Sequence, residues 1–107
     1  MKRYGNIVRV KPEKKSLYIE LHSNPLPEVG EVIRECNIRN FTIFNIDDLL
    51  FNSFEYIGDD YESDMKRMAE SSIMQEWWAK CMPCMEPYGD LADGEIWTEM
   101  KEIAHRD

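Results

Sequence analysis

Residues 38–57 constrain the fold more tightly than any other stretch of the chain. Ile38–Phe44 and Leu49–Ile57 are both rich in β-branched and aromatic residues, and only Asn45-Ile46-Asp47-Asp48 separates them. Two such runs joined by a short polar link predict an antiparallel hairpin. In the second run Leu49, Phe51, Ser53, Glu55 and Ile57 share one face, and Leu50, Phe54 and Tyr56 share the other. Large side chains on both sides predict a sheet covered on both faces.

The flanks of this hairpin repeat one pattern. Residues 3–10 read as a strand, with Ile7, Val8 and Val10 supplying the β-branched character. Lys11-Pro12-Glu13 then opens a helix over 13–22, since proline is tolerated in a first turn and Glu13 suits the positive end of the dipole. Leu17 and Leu21 are its expected inward stripe. His22-Ser23-Asn24-Pro25 ends it, and Pro27 starts a second helical piece reaching about Cys36. After the hairpin, Gly58-Asp59-Asp60 forms a turn and helix cap, and Tyr61, Met65, Met68 and Ala69 follow at helical spacing. A further helix spans about Ser72 to Met82, with Met74, Trp78 and Cys81 on one side. Pro87 and Gly89 open a loop, and Ile96–Ala104 reads as the last strand.

The resulting order is strand, broken helix, strand, strand, broken helix, strand. This is the α+β, ferredoxin-like βαββαβ arrangement, an antiparallel sheet with helices on one face. The bare face still carries large side chains, so a homodimer in which two sheets pack together, a dimeric α+β barrel, is the economical expectation.

A length of 107 residues fits one domain, 1–107. A domain this small predicts a site at an edge or at a seam with a second copy. The net charge of -8, from 21 acidic and 13 basic residues, disfavours nucleic acid and anionic membrane as partners and is compatible with a neutral sugar. No apolar run approaches the roughly 18 residues of a spanning helix. Met1-Lys2-Arg3-Tyr4-Gly5 leads directly into strand-like sequence without a signal-peptide segment, so a cytoplasmic location is expected. Three cysteines, an odd number, agree with reduced thiols there.

Three patterns carry chemistry. Tyr18 and His22 are four apart on a helix and so share a face, with His22 at the end where the helix dipole suits a proton donor. A phenol beside an imidazole can grip and protonate a hydroxyl-rich substrate; the plainer explanation is a solvated helix-end histidine beside a packed tyrosine. Trp77 and Trp78 point about 100° apart on a helix. One ring therefore packs beneath it while the other faces a cavity or a dimer contact, and an aromatic face matches the C–H face of a sugar. Cys81-Met82-Pro83-Cys84 has the spacing of a redox or zinc pair, but it falls at a helix C-terminus, and only Cys36, His22 and His105 could complete a metal site. Buried free thiols are the simpler reading, and no metal is expected. Phosphate-cradling glycine motifs and the His-Glu-x-x-His metal motif do not occur. His105 reads as part of the tail.

In order along the chain, these segments resemble the L-rhamnose mutarotase family. The resemblance rests on Tyr18-x-x-x-His22 with Asn24-Pro25 and Pro27-Glu28, on Asn40-Phe41-x-Ile43-Phe44 and on Leu49-Leu50-Phe51. It continues through Trp77-Trp78-Ala79-Lys80-Cys81-Met82, then Met85 and Pro87, to Trp97-x-x-Met100-x-Glu102-Ile103-x-His105. It implies a cofactor-free homodimeric enzyme that interconverts the α and β anomers of a 6-deoxyhexose, L-rhamnose or a relative such as L-fucose. It also implies that His22 is the proton donor and that Tyr18, Trp77 and Trp78 contact sugar. One position departs: where rhamnose enzymes carry a substrate-contacting tyrosine, this chain has Phe41, so one hydroxyl is lost. The base is left open between Glu55 and Glu102. A non-catalytic dimeric binding module of the same fold is the alternative from another class, and a cofactor-free monooxygenase a third.

Overall fold

A computed structural model describes residues 1–92 and 94–107. Its centre is β1 (Lys2–Val10), which pairs antiparallel with β3 (Leu49–Tyr56), from Lys2 opposite Tyr56 to Arg9 opposite Leu49. β2 (Ile38–Ile46) pairs antiparallel with the far edge of β3, closing the predicted hairpin at Asp47, whose φ of 49° lies in the left-handed region. On the other edge of β1, β4 (Met85–Glu86) and β5 (Thr98–Met100) lie end to end, opposite Arg9–Val10 and Gly5–Ile7 respectively. The strand order β2-β3-β1-β4 is that of the ferredoxin-like α+β frame.

Four short helices supply the second layer. Pro12 leads a 3-10 turn into α1 (Lys15–Ser23), and α2 (Pro27–Glu35) starts on its proline, whose missing N–H would have found no helical partner. α3 (Tyr61–Glu70) is capped by Asp60, which accepts from the Ser63 N–H at 3.1 Å. α4 (Ser72–Cys81) is capped by Ser71, which accepts from the Met74 N–H at 3.3 Å. A network on the sheet's flank ties these layers together. The Tyr56 hydroxyl donates to Asp64 at 2.5 Å and accepts from the Asp60 N–H, while Asn37 and Arg67 also donate to Asp64. Gly58 is required beside it, because a Cβ there would collide with the Tyr56 hydroxyl.

Val8, Val10, Leu50, Phe54 and Tyr56 face the helices and form the core with Tyr18, Val29, Met68, Met74, Trp77 and Cys81. The opposite face carries Ile7, Phe51 and Met100, with Phe44 and Ile46 at 61 % and 59 % exposure.

Several sequence expectations are corrected. Leu17 is exposed and Tyr18 is the buried residue of α1, because the helix is turned by about one residue so that Tyr18, Leu21 and His22 face inward. Ala69 is likewise exposed. The last strand shrinks from Ile96–Ala104 to Thr98–Met100. Beyond it Glu102 meets β1 through its side chain, an ion pair with Arg3 at 2.9 Å, and Ile103 is 90 % exposed. The two-residue β4 went unforeseen, since Pro87 cuts the segment too short for a period-2 pattern.

Candidate active site

Between the inner sheet face and the helices lies a cavity of about 320 Å3, at the small end of the range that holds a small molecule. Residues of α1, α2, α3, α4 and the sheet line it. All four residues singled out from the sequence, Tyr18, His22, Trp77 and Trp78, line it.

α1 delivers the first pair. The His22 ring lies against Tyr18, with centroids 4.3 Å apart, and meets Trp77 edge-on at 5.1 Å. Its Nδ1 lies 2.9 Å from the Tyr18 carbonyl oxygen, so Nδ1–H is the donor of that bond. This leaves Nε2 as the nitrogen available to a ligand, a lone pair when the ring is neutral and an N–H when it is protonated. Burial pushes the Tyr18 phenol far above its ordinary pKa, with Cys81 and Cys84 adding to the rise. Tyr18 therefore stays neutral and is a donor or acceptor of hydrogen bonds, not a base.

α4 delivers the tryptophans, and one ring is buried more deeply than the other. Trp77, only 8 % exposed, packs into the core, and Trp78 is the more open ring. The 100° between neighbours on a helix lets both edges reach the cavity while only one ring is engulfed. Burial also pushes the Cys81 thiol up to about 12, with Cys84 contributing. All three cysteines are buried and free, and no metal-holding cluster of His, Cys, Asp or Glu occurs among the described residues.

The sheet supplies the opposite wall. Phe41 and Phe54 line it, with Tyr61 joining them from the first turn of α3; Phe41 stacks on Phe54 at 5.9 Å, and Phe54 stacks on Tyr4 at 5.1 Å. Phe41 reaches this face through a β-bulge. Arg39 pairs with Glu55 and Thr42 with Ser53, so Asn40 and Phe41 together oppose Phe54. Asn40, at φ 53°, absorbs the extra residue and turns Phe41 inward.

Sequence reasoning missed two cavity residues on the central strands, Asn6 and Asn52. They are register partners, and the Asn6 amide donates to Asn52 Oδ1 at 2.8 Å. The signal was available: Asn52 interrupts the Leu50, Phe54, Tyr56 face at period 2, and a polar residue in a buried row calls for a reason. Neither candidate base lines the cavity. Glu55 accepts from Asn40 and Glu102 from Arg3, both away from it, and no carboxylate is among the described lining residues. His105 is bound to Asp107 in the tail.

An antiparallel βαββαβ sheet roofed by short helices, with an aromatic cavity holding one imidazole, places the molecule among ferredoxin-like α+β domains built around a small-ligand pocket. The L-rhamnose mutarotase family model matches residues 3–105. The chain is 34% identical over 107 residues to an L-rhamnose mutarotase of Oceanobacillus iheyensis, covering 100% of both. The crystal structure of an L-rhamnose mutarotase from Formosa agariphila superposes with a TM-score of 0.77 at 20% identity, covering 100% of both chains. Tetracenomycin F2 cyclase from Streptomyces glaucescens shares the fold at a TM-score of 0.67 and 16% identity, again over 100% of both chains. The chain belongs to the L-rhamnose mutarotase family and is a carbohydrate isomerase.

Proposed function

We propose that the chain interconverts the α and β anomers of L-rhamnose or a similar 6-deoxyhexose such as L-fucose, with His22 as its acid. The observation that carries this reading is the His22 ring itself. It is held in an aromatic cavity between Tyr18 and Trp77, with Nδ1 tied to the backbone and Nε2 left for a ligand. The family membership supports L-rhamnose as substrate.

Mutarotation opens and recloses a ring. His22 Nε2–H gives its proton to the ring oxygen as the C1–O5 bond breaks, and the anomeric O–H proton leaves to solvent water. The C1–O1 bond becomes the carbonyl of the open-chain aldehyde. Rotation about C1–C2 and the reverse steps close the ring on the other face and return the proton to His22. Trp78 and Trp77 would cover the C–H face of the sugar, and Tyr18 would hydrogen-bond a hydroxyl. No electron carrier enters this chemistry. Acid/base assistance of about 10²–10⁴-fold suffices, because the uncatalysed reaction already proceeds.

The exposed sheet face with Phe44 and Ile46 supports a homodimer in which a second copy covers it. Among the described residues no helix is long and apolar enough to cross a membrane. Buried reduced thiols fit a cytoplasmic site of action.

Anomer exchange measured by saturation-transfer NMR tests the proposal. L-Rhamnose exchange accelerates in proportion to protein concentration, with L-fucose as the comparison sugar. Exchange at the uncatalysed rate for both sugars overturns it.

A further inference from the structure

Resting on that reading, we infer that Asn6 and Asn52 form the element that reads the sugar's ring hydroxyls. The two amides are adjacent on the central strands β1 and β3, opposite one another in register, and both line the cavity. Asn52 is 6 % exposed, a buried polar side chain in the cavity lining. A buried primary amide there is costly unless its donors and acceptor are met.

Their mutual bond satisfies only part of that demand. Asn6 Nδ2–H donates to Asn52 Oδ1 at 2.8 Å, and among the described residues this is the sole hydrogen bond either side chain makes. The Asn6 carbonyl oxygen remains as an acceptor, and the Asn52 amide nitrogen keeps two N–H donors. An acceptor beside a donor, a strand spacing apart, is the complement of two neighbouring hydroxyls, each of which can give one bond and take one. Exchanging O and N in both amides reverses the order and leaves the same complement.

The surrounding wall makes the pair selective. Phe41, Phe54 and Met65 offer a hydroxyl nothing, so a sugar seated against the sheet finds its polar partners at the two asparagines. Phe41 in particular contributes a ring without a hydroxyl, and the amide pair supplies polar contact on the same sheet face. Strands in the middle of a sheet hold such groups rigidly, and rigid unpaired donors reject a ligand lacking the matching hydroxyl.

The test compares L-rhamnose with its 2-, 3- and 4-deoxy analogues on the wild type, Asn6→Leu and Asn52→Leu, reading kcat/KM for exchange above background. The wild type loses about ten- to hundredfold on one or two neighbouring deoxy positions. Each leucine variant loses a similar factor on L-rhamnose, carried by KM, and loses nothing further on those same analogues. Should Asn52→Leu fail to fold, the wild-type series and Asn6→Leu decide the matter. Equal kcat/KM for all four sugars in the wild type, or leucine variants that keep the wild-type ratios, overturn the role of the pair while leaving mutarotation intact. A wild type that accelerates no sugar overturns the mutarotase reading, and this inference with it.

Discussion

His22 Nδ1 sits 2.9 Å from the carbonyl oxygen of Tyr18, one turn earlier in α1. The backbone of α1 thus fixes both the tautomer and the tilt of the ring. His22→Ala should lower the enzyme-dependent exchange rate by about 10²–10⁴-fold without loss of the fold. Saturation-transfer NMR gives the rate, and far-ultraviolet circular dichroism checks the fold. Added imidazole should restore part of the activity, since the vacated space opens on the cavity. An unaltered exchange rate in His22→Ala removes it as the acid.

The two tryptophans should separate stability from binding. Trp77 is engulfed by the core, so Trp77→Ala should cost about 3–5 kcal/mol in urea unfolding. Trp78 is half-buried, and Trp78→Ala should cost far less stability while raising KM about tenfold, the worth of one aromatic contact. Equal losses of stability would mean that the rings are not divided in this way.

Cys81 should be inert. A thiol pushed up to about 12 is almost wholly protonated at neutral pH, whereas an ordinary cysteine titrates near 8.5. Iodoacetamide should label the native protein at pH 8 at least about 100-fold more slowly than the unfolded chain. Exchange activity should be indifferent to reductant. Rapid native labelling of Cys81 would reopen a redox role for the pair with Cys84.

What the sequence disclosed and what it withheld divide along physical lines. The hairpin, the cap at Asp60 and the Tyr18–His22 pairing are local, set by residues within a few positions of each other. Helix rotation is not local: Leu17 and Tyr18 are equally good inward candidates until the sheet beneath decides, and it takes Tyr18. Phe41 needed the bulge at Asn40, which no period-2 pattern announces. Asn6 and Asn52 meet across 46 positions, so their pairing exists only once register is known. The cavity's polar floor was therefore the least visible part of the site, and its imidazole the most visible.

The Tyr56–Asp64 bond should shape stability at both ends of the pH scale. Burial and donation to Asp64 raise the Tyr56 phenol from 10.0 to about 12. A group with its folded pKa raised contributes fully below pH 10 and loses that contribution as pH climbs toward about 12. Tyr56, Asn37 and Arg67 hold the Asp64 carboxyl below its ordinary value of 3.8, so its contribution is present above that range and fades as pH falls through it. Tyr56→Phe should flatten the alkaline loss and weaken the acid one. Urea unfolding from pH 3 to 11 would show it, and an identical profile for the variant would refute it.

The sheet face opposite the cavity should hold two copies together. Phe44 and Phe51 are register partners there, as are Ile46 and Leu49, so the most exposed apolar residues of the hairpin lie side by side. A face this apolar is solvated at a cost of about 25 cal/mol per Å2, which packing against its own copy removes. Two-fold symmetry brings the same residue in from both subunits, so one substitution acts twice. Ile46→Glu should therefore weaken association by about 2 kcal/mol or more, some thirtyfold in Kd. Sedimentation velocity over a concentration series would measure it. Tyr18, His22, Trp77 and Trp78 reach the cavity from the same chain, so the monomer so produced should keep exchange activity above background. A wild type that sediments as a monomer, or an Ile46→Glu protein that dimerises unchanged, would place the contact elsewhere.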